Sequence, residues 1–175
     1  MSKASRRERK LRDIRLDDRG NAVYTGAMYR ISGDDRRIRL YLGLGALGLA
    51  AAVIGSGCID AAGANNTFYV ILPFLGEACA LFALCWQAVK VVAGREGLRS
   101  YVYDSAGKII PGACRVLSVF ALFGLAGSVW YLFSRGMGGQ SVKSVAYPVL
   151  KVLSAAGAER YGRAFRSLEW DEISP

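Results

Sequence analysis

One apolar stretch sets the character of this chain: residues 68–92 read FYVILPFLGEACALFALCWQAVKVV and contain a single carboxylate, Glu77, near the middle. Two further apolar stretches, 40–59 and 116–133, contain no charged residue over 20 and 18 residues. Since a bilayer core about 30 Å thick needs about 20 apolar residues of helix, each stretch predicts a transmembrane helix. The sequence therefore predicts an all-α integral membrane protein.

The distribution of Lys and Arg predicts how these helices are oriented. Residues 1–39 carry twelve basic residues, the connector 60–67 carries none, and the connector 93–115 carries four. Cytoplasmic segments of membrane proteins are enriched in Lys and Arg. We therefore expect the N-terminus and the 93–115 loop to be cytoplasmic and residues 60–67 to be external. Frequent Ala, Gly and Arg favour a bacterial cytoplasmic (plasma) membrane.

The segment 140–158 has two interpretations. Its apolar residues recur every three or four positions, which is typical of one face of an amphipathic helix. The polar residues of the opposite face are Lys143, Tyr147, Lys151 and Ser154. A fourth crossing places the tail, 159–175, and its three arginines in the cytoplasm and gives a four-helix transmembrane bundle, which we favour. The alternative is three spans plus an amphipathic helix lying in the outer interface.

A buried ion pair would offset the cost of the fourth crossing. A lysine at the centre of a span costs about 2.5–3.5 kcal/mol on insertion scales. Glu77 lies nine residues from the external end of its helix and Lys151 eleven. At 1.5 Å of rise per residue these depths are about 13 and 17 Å, which places both side chains near the midplane. We predict that Glu77 and Lys151 pair there, and they are the candidate functional residues.

Small residues are predicted to mediate close helix packing. Gly48, Ala52 and Ser56 repeat every fourth residue in the first span, and Gly124 and Gly127 form a similar notch in the third. Such small-xxx-small patterns let helix backbones approach closely. Contact within one bundle and dimerisation both explain the pattern.

The polar segments divide the chain into an arm (1–39), a bundle with its loop (40–158) and a tail (159–175). Within the arm, residues 14–24 combine two short β-prone stretches with an Asp and Gly turn, and residues 101–110 of the loop repeat that design. We therefore predict two short cytoplasmic β-hairpins, which could pair into a small sheet beneath the bundle.

Composition argues against several classes of function. The chain contains no histidine, and its four cysteines, Cys58, Cys79, Cys85 and Cys114, show no C-x-x-C spacing, so we expect neither a metal nor a cofactor. No phosphate loop, nucleophile elbow or other catalytic motif is present, and we expect no enzymatic activity. The net charge of +9 attracts an anionic membrane surface, and because carboxylates interleave the basic arm we expect no nucleic-acid partner.

The function expected from these features is structural. We expect a small accessory subunit whose partners are the lipid bilayer and another membrane protein or a second copy of itself. The alternative is a small transporter or channel component that uses Glu77, because an intramembrane carboxylate is a functional candidate by default.

Overall fold

The computed structural model describes residues 14–16, 22–59, 64–94, 97–135 and 141–173 of the chain. Its four long helices are α1 (Asp35–Cys58), α2 (Phe68–Ala93), α3 (Ser100–Arg135) and α4 (Ser141–Arg166). Its strands are β1 (Ile14–Leu16), β2 (Ala22–Tyr24), β3 (Met28–Ile31), β4 (Leu98–Arg99) and β5 (Trp170–Ile173). A 3₁₀ turn, Ala64–Asn66, precedes α2. The protein is therefore mostly helical, as predicted.

Three of the helices, α1, α2 and α3, are long and apolar enough to cross a membrane. The first two coincide closely with the predicted spans 40–59 and 68–92. The third contains the predicted span 116–133 but begins earlier, at Ser100, so that much of the predicted 93–115 loop is helical. The predicted fourth segment, 140–158, lies within α4, which continues to Arg166.

The helices form a ring in which each packs against two neighbours. α1 packs on α2 and α4, and α3 packs on the same two helices, so α2 and α4 face each other diagonally across the bundle axis. Successive turns of each helix bury apolar side chains between the helices because those side chains share one face. The core residues that line this interior include Leu42, Leu49, Val53, Leu84, Val91, Ile110, Leu117 and Ala158.

The fourth helix runs antiparallel to α1 along most of its length. The hydroxyl of Tyr161 donates to the carbonyl of Leu42 at 3.2 Å, near the start of α1. Leu150 lies 3.8 Å from where a Cβ of Gly55 would be, near the end of α1. α4 is thus packed lengthwise in the bundle.

The amphipathic pattern of α4 is oriented with its polar face inward. Its buried polar residues are Ser144, Tyr147, Lys151 and Ser154. Its exposed apolar residues are Val142, Val145, Val149, Val152 and Leu153. Other helices also expose large apolar side chains, among them Phe82 of α2 and Trp130 and Phe133 of α3. The side chain of Phe133 is 90% exposed. An apolar exterior of this extent is unusual for a protein surrounded by water.

One end of the bundle, here called the sheet end, carries a three-stranded antiparallel sheet in the order β4–β3–β5. In this sheet Met28 of β3 pairs with Arg99 of β4 and with Ile173 of β5. The residues before α1, the α2–α3 connector and the residues after α4 therefore meet at the sheet end. The opposite end, here called the far end, holds the 3₁₀ turn and the first turns of α2 and α4.

An aromatic cluster joins this sheet to the helices. Tyr29 stacks on Tyr103 of α3 with ring centroids 4.3 Å apart, and Tyr103 contacts Trp170 edge-on at 5.3 Å. Phe165 of α4 lies 6.2 Å from the Trp170 ring. The carboxylate of Glu172, the cross-strand partner of Tyr29, raises the pKa of Tyr29. The cluster fixes the chain after α4 against α3 and β3.

Of the two predicted hairpins, one is confirmed and one is wrong. The hairpin over 14–24 is present as β1 paired with β2, with Ile14 opposite Tyr24. Residues 101–110 instead form the first turns of α3, and no hairpin exists there.

Tertiary packing explains the second outcome. Ala106, Ile110 and Cys114 are buried at helical spacing, so a helix covers the core where a hairpin would not. Asp104 and Gly107, interpreted from the sequence as turn residues, lie on the exposed side of that helix. Local turn preference is a weak signal when a whole apolar face can be buried instead.

Candidate functional site

The two candidate functional residues, Glu77 and Lys151, form an ion pair inside the bundle. Nζ of Lys151 donates to Oε1 of Glu77 at 2.7 Å, and both side chains are 0% exposed. Glu77 lies on α2, one turn after Pro73, and Lys151 lies near the middle of α4. Because α2 and α4 are diagonal, the pair spans the bundle axis. The structure thus brings together the two residues whose matching depths predicted the contact.

A glycine makes room for this pair. A Cβ at Gly124 of α3 would lie 3.3 Å from Oε1 of Glu77 and 3.3 Å from Cε of Lys151. A larger side chain at this position would press directly on both partners. The predicted packing role of Gly124 is therefore a role in seating the ion pair.

Two aromatic rings complete the surroundings of the ammonium group. Nζ of Lys151 lies 5.0 Å from the ring centroid of Tyr147 and 5.3 Å from that of Phe74. Cations are attracted to the negative face of an aromatic ring, most strongly where water is excluded. Lys151 is therefore held by a carboxylate and two rings, which offsets part of the cost of removing its charge from water.

Several buried polar atoms around α4 are not satisfied by protein groups. Among the residues that the structure describes, the oxygens without a hydrogen-bond partner on the inner face of α4 or opposite it are Glu77 Oε2, Ser144 Oγ, Tyr147 OH and Ser154 Oγ. Buried polar atoms normally have a partner, often water. The interior near the pair therefore has hydrogen-bonding capacity that the pair itself does not use.

A cavity of about 120 Å³ lies between the ion pair and the far end of the bundle. Its lining residues are Gly57, Asn65, Val70, Ile71, Phe74 and Tyr147. Phe74 and Tyr147 therefore contact both the cavity and the ammonium of Lys151, and they form the layer between the two. Asn65 at the cavity wall donates to the carbonyls of Gly57 and Ile59 at 3.3 and 3.2 Å, which ties down the end of α1.

The remaining small residues predicted to pack between helices differ in their surroundings. A Cβ at Gly127 would lie 2.5 Å from the backbone oxygen of Tyr69, so α3 and α2 are in backbone contact there. Ser56 is buried and donates to the carbonyl of Val53. Ala52 is half-buried. Gly48 faces outward, and a Cβ added to it would have no atom of the described chain within 4 Å.

No protein-family model matches this chain, and no curated protein or solved structure is significantly similar to it. Its function is therefore inferred from its own residues.

One buried cation near the sheet end was missed by sequence reasoning. Arg39 is only 5% exposed; its Nε donates to Asp35 at 2.5 Å and its Nη1 donates to the carbonyl of Val91 at 2.7 Å. In the sequence Arg39 is one of twelve basic residues of the arm and carries no distinguishing mark. The signal that could have found it is Asp35, four residues earlier, which is ion-pair spacing on a helix.

Proposed function

We propose that this chain is an integral membrane protein with four crossings, located in a bacterial cytoplasmic membrane with its N-terminus in the cytoplasm. Three helices are long and apolar enough to span, and the sheet end collects the residues that precede α1 and follow α4. With both of these segments on one side, the number of crossings is even. The twelve Lys and Arg of the arm and the three Arg of the tail support a cytoplasmic sheet end.

The inward polar face of α4 supports the fourth crossing. A helix lying in the interface presents its polar face to water and its apolar face to lipid. α4 instead buries Lys151 and exposes a row of valines, an arrangement that suits lipid on the outside and protein on the inside. Lys143, at the far end, is exposed and can extend toward the aqueous phase.

We further propose that the protein is a structural or accessory subunit that assembles with another membrane protein. The observation that carries this proposal is the closed ion pair. Glu77 is bound to Lys151 and lies against Gly124, so this intramembrane carboxylate is used to join diagonal helices. Gly48 is open toward the exterior on the side of α1 that also exposes Leu44 and Leu47, and it offers a place for a partner helix.

Purification in mild detergent followed by mass measurement tests the accessory role. The proposal predicts a complex heavier than the 18.9 kDa chain, and it predicts that Gly48→Leu lowers the recovery of the partner. Ala126→Leu is the matched control, because Ala126 is also a small exposed residue within a predicted span but lies on α3. A monodisperse monomer with no co-purifying protein would count against the proposal.

The cavity at the far end favours a second candidate, a small transporter or channel component. Phe74 and Tyr147 separate this cavity from Lys151, and Oε2 of Glu77 is unpaired within the described part of the chain. This candidate predicts a flux in reconstituted vesicles that Glu77→Gln abolishes while the protein remains folded. Unchanged flux would remove Glu77 from the mechanism.

A further inference from the structure

A groove of about 480 Å³ runs along the outside of the bundle between α3 and α4. The residues that line it are Arg115, Ser118, Val119, Leu122, Ala155, Ala156 and Glu159. Its middle is apolar, and its charged residues lie at one end. Neither the ion pair nor the cavity at the far end is part of it.

Small side chains create the groove. The hydroxyl of Ser118 on α3 donates to the carbonyl of Ala155 on α4 at 3.2 Å, which holds the two backbones close together. Ala155 and Ala156 carry only a methyl group each, so they leave space beside the contact that larger residues would fill. Val119 and Leu122, both exposed, form the wall on α3.

The charged end of the groove lies at the edge of the apolar part of the bundle. Arg115 immediately precedes the apolar stretch 116–133. Its neighbour Cys114 lies against Gly162, close to the end of α4 and to the sheet end. With the crossings proposed above, Arg115 is level with the lipid headgroups, and the apolar part of the groove is level with the acyl chains.

The balance of charge at this end is positive. Glu159 is the carboxylate of the groove, and Arg163 lies 3.7 Å from it and offsets its charge. Within the described ranges, no carboxylate lies within 4.0 Å of the Arg115 guanidinium, which is exposed. Arg160, also exposed, adds a further positive charge beside Glu159.

We propose that this groove binds an anionic phospholipid, with the phosphate on Arg115 and an acyl chain along Val119, Leu122 and Ala156. Arginine is well suited to phosphate because its planar guanidinium donates two parallel hydrogen bonds. Arg115 and Leu122 are seven residues apart, or about 10 Å along the helix, which matches the upper part of an acyl chain. The inference rests on the proposed membrane crossings but not on the accessory role.

Native mass spectrometry of the purified chain tests this site. The probes are phosphatidylglycerol and phosphatidylcholine with identical acyl chains, so that only the headgroup charge differs. The proposal predicts tighter binding of phosphatidylglycerol. Arg115→Gln should weaken that binding about fivefold, the change expected for one basic group near an anionic lipid. Phosphatidylcholine binding should change little.

Three further variants make the test specific. Arg36→Gln removes the same charge from an exposed position on α1, away from the groove, and should leave the preference for phosphatidylglycerol unchanged. Arg115→Lys keeps the positive charge and should retain part of the preference for phosphatidylglycerol. Ala156→Leu fills the groove and should weaken binding of both lipids. Melting temperatures of all variants identify any that fail to fold, and Arg115→Lys then carries the test.

Other outcomes would overturn the site. If Arg36→Gln and Arg115→Gln weaken phosphatidylglycerol binding equally, the lipid is attracted by the overall positive charge of the protein and not by the groove. A dimer that Ala156→Leu dissociates would mean that a second copy occupies the groove. Absence of the chain from membrane fractions of cells, measured before lipid is added, would refute the crossings themselves. A monomeric mass would refute only the accessory role and would leave the lipid preference intact.

Discussion

Glu77 of α2 and Lys151 of α4 are bound to each other at 2.7 Å although their helices lie at diagonal positions of the bundle. Most contacts in a four-helix ring join neighbouring helices. This ion pair instead fixes the distance between the diagonal helices α2 and α4, which packing between neighbours does not determine. Its two charges are also the least favourable groups to bury singly. The pair therefore selects one arrangement of the four helices.

Removing either charge alone should destabilise the protein strongly. Glu77→Leu and Lys151→Leu each leave an unpaired buried charge, which typically costs about 3–5 kcal/mol. The double variant leaves none and should recover much of the loss. Thermal unfolding in detergent measures this cycle. Lys143→Leu, an exposed lysine on the same helix, is the control and should change stability by less than about 0.5 kcal/mol. Additive losses in the double variant would show that the pair is not coupled.

The two arginines Arg37 and Arg39 should differ sharply in their effect on stability. Arg39→Gln removes a buried ion pair with Asp35 and the donor to Val91, and should cost about 3 kcal/mol. Arg37→Gln removes an exposed pair with Asp34, which is worth about 0–1 kcal/mol. Unfolding in detergent compares the two. Similar melting temperatures would mean that the sheet end of α1 is not packed as described.

Two glycines should respond differently to the same substitution. A Cβ at Gly127 meets the backbone of Tyr69, so Gly127→Ala must push α2 and α3 apart and should cost about 1–3 kcal/mol. A Cβ at Gly48 meets nothing in the described chain, and Gly48→Ala should be neutral or stabilise α1 by up to about 1 kcal/mol. Thermal unfolding of the purified chain in detergent distinguishes them. A stabilised Gly127→Ala would contradict the contact between α2 and α3.

Trp170 should hold the last strand on the bundle. Trp170→Ala removes its ring contacts with Tyr103 and Phe165, each worth about 0.5–1.5 kcal/mol beyond area burial. Amide hydrogen exchange of β3 and β5 should become faster as a result. Trp130→Ala deletes an exposed tryptophan of α3 and should leave the sheet protected. Unchanged exchange in Trp170→Ala would mean that backbone pairing alone holds β5.

The sequence was most informative where charge and hydropathy are extreme. The stretches 40–59 and 68–92 predicted α1 and α2, because long apolar runs have few alternatives. The ion pair was predictable because Glu77 and Lys151 lie at similar distances, nine and eleven residues, from the predicted external ends of their segments. Nothing in a single sequence shows that α2 and α4 are diagonal, so the position of the pair on the bundle axis needed the structure.

The sheet end was predicted less well. Strands β3, β4 and β5 are short and come from segments far apart in the chain, and such pairing leaves no local pattern. The packing of the Trp170 ring against Tyr103 and Phe165 likewise joins residues that are far apart in the chain or lie on different elements. The start of α3 was predicted wrongly because Asp104 and Gly107 are turn residues by composition. In the structure Asp104 and Gly107 lie on the exposed side of a helix whose other side buries Ala106 and Ile110.

The central claim, a four-crossing bundle with its arm and tail in the cytoplasm, is tested most directly by cysteine labelling at the two ends of α4. In a cysteine-free background, Lys143→Cys and Ser167→Cys each introduce one thiol at an exposed position. We expect an impermeant thiol reagent applied to intact cells to label position 143 and to label position 167 only after lysis. Labelling of position 167 in intact cells would place the tail outside and contradict the fourth crossing.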